Sequence, residues 1–176
     1  MESDSNKICK EFDKLNGSFA EDEMEYPEVN ISNNKFEYTD IDDVMDIFNN
    51  SGDAVIFFCY SSWLYCRTAI QVLHDTSINT EIDKILYLVV EEKMDGYDVL
   101  LNILNDDMKV VENEDEVIYS PLVLFVADGK IATYHKETLF SQYSPYNELD
   151  QSQVGGLSEI FRNGFNDVIK GMRNNK

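Results

Sequence analysis

Three short runs of this chain are apolar almost without interruption: AVIFFCY at residues 54–60, KILYLVV at 84–90 and LVLFV at 122–126. A strand with one wet face alternates apolar and polar residues. These runs do not, so each is read as a strand buried on both faces. A sheet covered on both faces needs helices on both sides, which sets the class as α/β. Helical spacing fills the intervals. Residues 63–76 place Cys66, Ala69, Ile70 and Leu73 on one side, and residues 97–104 form a second amphipathic segment. Asp128 and Gly129 form a hairpin turn that returns the chain through 130–135. Upstream, 35–38 reads as a short strand, and Thr39 as the cap of a helix with Ile41, Val44, Met45 and Phe48 on its inner face.

The two ends of the chain are also helical in pattern. Residues 3–16 carry Ile8, Phe12 and Leu15 and stop at Gly17, and 17–34 follow as a polar, acidic arm containing Pro27. Residues 150–172 repeat Val154, Leu157, Phe161, Phe165, Val168 and Met172 along one side. Gly155, Gly156 and Gly164 oppose that helix, each by about 1 kcal/mol relative to alanine. A parallel start followed by an antiparallel hairpin predicts a mixed central sheet flanked by helices. The expected division is an N-terminal helix and arm at 1–34 and an α/β domain at 35–176.

The 34 acids outnumber the 14 bases, for a net charge of −20. Such a surface repels phosphate backbones and anionic lipid, which excludes nucleic acid as a partner. No apolar run approaches the roughly 18 residues a membrane helix needs, so no membrane insertion is expected. Three cysteines make no disulfide framework, and two distant histidines, His74 and His135, make no zinc site. The acids between 106 and 116 lack the spaced oxygen pattern of a calcium loop and read as solvated charge. Neither a metal nor a cofactor is called for. MESDSN at the N-terminus has no apolar leader segment. The expected location is cytoplasmic for the chain as written, or extracytoplasmic if a leader has been removed. Oligomeric state is not specified by these residues.

The stretch VIFF at 55–58 followed by WLYCR at 63–67 resembles the strand and CxxC helix of the thioredoxin superfamily. YSPLVLF at 119–125, followed by Asp128, Gly129 and Lys130, is similar to the segment in which that superfamily sets a cis-proline before a strand and tight hairpin. Over nearly the whole chain, EFDKLNG at 11–17, the Cys66-Arg67 pair and TLFSQYSPY at 138–146 resemble bacterial thioredoxin-like proteins of the bacteriocin-transport-accessory type. The resemblance implies a thioredoxin-like fold with an N-terminal helical extension. It also implies a cis bond at Ser120–Pro121, and a groove there in which the Ser120 backbone is free to pair with an extended peptide or protein segment.

The same comparison of motifs implies a degenerate site. A dithiol enzyme keeps its attacking cysteine at the helix N-terminus, where the dipole stabilises thiolate, and its resolving cysteine one turn inward. Here Trp63 occupies the first place and Cys66 the second. Loss of the attacking thiol favours a redox-inactive accessory that binds through Trp63, Leu64, Tyr65, Ser120 and Pro121. The alternative is a thiol-disulfide oxidoreductase that uses Cys66 with Cys59, seven residues earlier, or with an external thiol. Whether Cys59 and Cys66 pair is left open, since a bridge needs Cα atoms within about 7 Å; Cys9 is expected to pack, and Arg67 to add charge favouring thiolate.

Overall fold

A computed structural model of the chain describes residues 2–91, 94–107 (backbone alone from 105), 118–139, 142 and 144–174. Within these, the elements run α1 (Asp4–Asp13), β1 (Phe36–Tyr38), α2 (Ile41–Asn49), β2 (Ala54–Cys59), α3 (Leu64–Ser77), β3 (Ile85–Val89), α4 (Tyr97–Asp107), β4 (Leu122–Ala127), β5 (Lys130–Lys136) and α5 (Gln151–Asn174). The strands form one sheet in the order β1-β3-β2-β4-β5, parallel across β1, β3 and β2 and antiparallel across β2, β4 and β5. The chain is therefore a mixed α/β protein with helices on both faces of its sheet.

The apolar runs explain that layering residue by residue. Successive side chains of a strand point to opposite faces. On β2, Val55, Phe57 and Cys59 enter one core with Ile8 and Phe12 of α1, Ile70 and Leu73 of α3, and Phe161 and Phe165 of α5. Ile56 and Phe58 enter the other core, with Val44 of α2 and Leu100 and Leu104 of α4. β3 and β4 divide in the same way. Val29 and Ile31, from the polar arm, are also buried in the first core, so residues 1–34 supply part of the packing under the sheet.

Local chemistry sets the element ends. The cap of α2 is Asp40 rather than Thr39: Asp40 Oδ1 accepts from Asp43 N at 2.9 Å, while the Thr39 N–H is engaged with Tyr87 O at 3.0 Å. The β4–β5 turn has positive φ at both central residues, 53° at Asp128 and 67° at Gly129, as a type I′ hairpin demands. A Cβ at Gly129 would also lie 2.7 Å from Phe48 O, so glycine is required there twice over. The helix at 150–172 forms despite its glycines and runs unbroken over Gln151–Asn174. Of the segment TLFSQYSPY, Phe140, Ser141 and Tyr143 lie outside the described residues, as does the acidic run from 108 to 117.

Candidate functional site

β2 ends at Cys59 in the middle of the sheet, and after a short turn the chain enters α3 at Leu64. The turn is tied at three places. First, Cys59 and Cys66 are joined as a disulfide, with Cα atoms 5.8 Å apart. This answers the pairing that the sequence leaves open. The strand end and the first helical turn approach within the 4.4–6.8 Å window that a bridge requires, a distance that spacing along the chain does not reveal. Both half-cystines are 0% exposed. Cys9 remains a free thiol near Asp13, its pKa raised by partial burial and then by the neighbouring carboxylate.

Second, the Trp63 indole Nε1–H donates to Ser120 O at 2.8 Å. The Ser120–Pro121 bond is cis, as expected, and lies directly across from the start of α3. The Ser120 carbonyl already accepts one hydrogen bond, from Trp63. The Ser120 hydroxyl faces inward, 3.3 Å from Phe58 O as a donor and 3.4 Å from Cys66 Sγ. Trp63 has extended φ and ψ at the helix N-cap but gives the helix no side-chain cap, since an indole has no acceptor for the first-turn N–H groups and its one donor points across to residue 120.

Third, Arg67 reaches away from the sulfurs. It is 0% exposed. Its Nε donates to Pro27 O at 2.7 Å, Nη1 to Phe12 O at 3.1 Å and Ser61 O at 3.2 Å, and Nη2 to Asn16 Oδ1 at 2.6 Å. Burial pulls its pKa down to about 10 against the upward influence of Tyr26 and Asp13. Arg67 therefore does not serve thiolate. It fastens the turn and α3 to the N-terminal helix and arm.

What remains accessible is aromatic. The Trp63 ring stands 6.2 Å from Tyr60 and 5.9 Å from Tyr65, centroid to centroid. Tyr60 and Trp63 are 36% and 37% exposed despite their size. Tyr60, Trp63 and Ser120 join Val90, Tyr97, Ile118 and Tyr119 around an open groove of about 410 Å³. Burial raises the Tyr60 phenol, so it is un-ionised at neutral pH. Leu64 and Tyr65, on α3, and Pro121, which is buried, are not among the residues of its lining. Val90, Tyr97, Ile118 and Tyr119 were missed by the sequence reading. Tyr119 had a signal, since it immediately precedes the quoted Ser120-Pro121 pair; the others come from separate elements and had none. A second depression of about 330 Å³, between Ile47, Val55, Ile82 and Met172, lies at the opposite end of β2 and away from the sulfurs.

Neither histidine approaches this groove. His74 is buried in α3 with Nδ1 unpartnered, and His135 Nε2 bonds Thr138 O at 2.6 Å. No cluster of three metal-ligating side chains occurs among the described residues. No helix among them is long and apolar enough to cross a membrane. No family model matches the chain, and no curated protein matches it.

Proposed function

We propose that this chain is a thioredoxin-like accessory protein, of the bacteriocin-transport-accessory type it resembles, that binds an extended peptide or protein segment and performs no disulfide exchange. The observation that carries this reading is the contrast within one turn. Both sulfurs are bonded and 0% exposed, while Trp63, in the attacking position, is 37% exposed above an aromatic groove. An attacking thiolate must reach a sulfur along the S–S axis, and a fully covered pair offers no such approach. The disulfide on this reading is a staple. Its presence supports an oxidising, extracytoplasmic compartment, because cytosolic thiols are kept reduced.

One observation favours a second reading. Cys66 sits in the first turn of α3, where the helix dipole would stabilise its thiolate after reduction. In that case a substrate dithiol would attack the Cys59–Cys66 bond and form a mixed disulfide. The substrate's other thiolate would then close the substrate's own bond, leaving Cys59 and Cys66 as two thiols. Insulin reduction with dithiothreitol separates the readings, together with thiol counting in denaturant. Binding without exchange predicts insulin turbidity at the uncatalysed rate. It also predicts one titratable thiol, Cys9, in the denatured unreduced protein and three after reduction. Catalysed insulin reduction would replace the accessory reading with the oxidoreductase.

A further inference from the structure

Several polar groups around the groove are already engaged within the chain, and this weights recognition toward its rings. Ser120 O is taken by the Trp63 indole, the Ser120 hydroxyl by Phe58 O, and Tyr97 Oη accepts the Ile118 N–H at 2.8 Å. The sulfurs are bonded. Recognition by strand pairing at Ser120 would have to share its carbonyl with the indole. Ring faces are what the groove offers instead: Tyr60 and Trp63 remain more than a third exposed, with Tyr65 edge-on to the indole.

An aromatic face carries the negative end of the ring quadrupole and attracts cations, tryptophan most strongly. The site shows this preference within the chain itself, where Lys136 Nζ lies 4.6 Å from the centroid of the Tyr119 ring. The long-range field has the same sign. At −20 the chain gathers cationic ligands and repels anionic ones before contact. A guanidinium suits such a surface better than an ammonium, because it is planar, weakly hydrated and stacks on rings.

We infer that the segment bound in this groove is cationic, with an arginine side chain laid on the exposed face of Trp63 beside Tyr60. This inference rests on the peptide-binding reading above and names its ligand class. Specificity then comes from charge and stacking, and the carbonyl of Ser120 stays with the indole throughout.

Trp63 is the single tryptophan of the chain, so its emission reports on the groove directly. The oxidised full-length protein is titrated with three extended peptides of equal length and apolar content, differing only in a central arginine, glutamine or glutamate. The arginine peptide should quench Trp63 and bind about tenfold more tightly than the glutamine peptide. The glutamate peptide should bind weakest, and added salt should reduce the arginine preference. Calorimetry on Trp63→Leu, with fold checked by circular dichroism, should show the arginine and glutamine peptides brought to similar affinity. Equal binding of those two peptides by the unmodified chain would overturn the cationic inference while leaving the peptide-binding reading in place. An arginine preference that survives Trp63→Leu would overturn the assignment to the indole. Binding of none of the three would remove the peptide-binding reading itself, and the inference with it.

Discussion

Arg67 carries its charge to a place that water does not reach, next to the bonded Cys66. Four acceptors from three separate stretches surround its guanidinium, and the Phe12 and Tyr26 rings lie 5.8 and 5.6 Å from its Cζ. Lysine would keep the charge but not the planar fork that serves Pro27, Phe12, Ser61 and Asn16 together. Arg67→Lys is therefore expected to lower unfolding free energy by about 2–4 kcal/mol, since hydrogen bonds to a charged donor contribute about 1.5–3 kcal/mol each and some are recoverable. Urea unfolding checks this: the midpoint should fall at unchanged slope. Nothing in the order of residues points to this role. Arginine is among the residues least often fully buried, and its partners lie up to 55 positions away. The same holds for Trp63, whose place at the head of a helix was legible but whose bond to Ser120, 57 positions on, was not. The cysteine pairing was likewise a matter of distance, not of spacing.

At the level of elements, the pattern in the sequence was sufficient wherever burial alone decides. The three apolar runs became β2, β3 and β4, and the spaced apolar residues became α1 to α5. It was insufficient where one element must touch another closely. Gly164 of α5 looked like a weakness in a helix, yet a Cβ there would penetrate the ring of Phe125 on β4, which is itself held between Phe161 and Phe165. Gly155 and Gly156 have nothing within 4 Å of an added Cβ. The three glycines should separate in experiment. Gly155→Ala and Gly156→Ala should each stabilise by about 0.5–1 kcal/mol through helix propensity. Gly164→Ala should destabilise by about 1–3 kcal/mol, because overpacking a filled core outweighs the same propensity gain. Thermal and denaturant unfolding of the three variants side by side would decide it.

Over the whole molecule, the two histidines set an acid limit. Burial lowers the pKa of His74, with Asp75 opposing and Lys35 reinforcing the shift. It also lowers His135, against the bond to Thr138 O and the nearby Glu137. Each imidazole is thus kept neutral in the fold and takes up a proton more readily when unfolded. The unfolded chain binds more protons as pH falls through about 6.5, so stability is fully present above that value and declines below it. Unfolding free energy measured from pH 8 down to pH 5 should fall. The fall should be smaller in His74→Gln, which removes the titration from the site whose Nδ1 has no partner. A flat profile over that range would contradict neutral burial of these rings.

The attachment of Arg67 to Phe12, Asn16 and Pro27 also fixes an order of events during synthesis. Residues 1–34 leave the ribosome before their partners, which are Arg67 and Gln71 on α3 and Tyr87 on β3, whose hydroxyl donates to Glu11 Oε1 at 3.0 Å. Phe36 has no neighbouring strand until Ile85 is made. The opening of the chain must wait, with Ile8 and Phe12 uncovered, until roughly half of the polypeptide has followed it. A nascent chain stopped before Arg67 would be cut readily by protease throughout its first 34 residues, and one carried past β3 would resist.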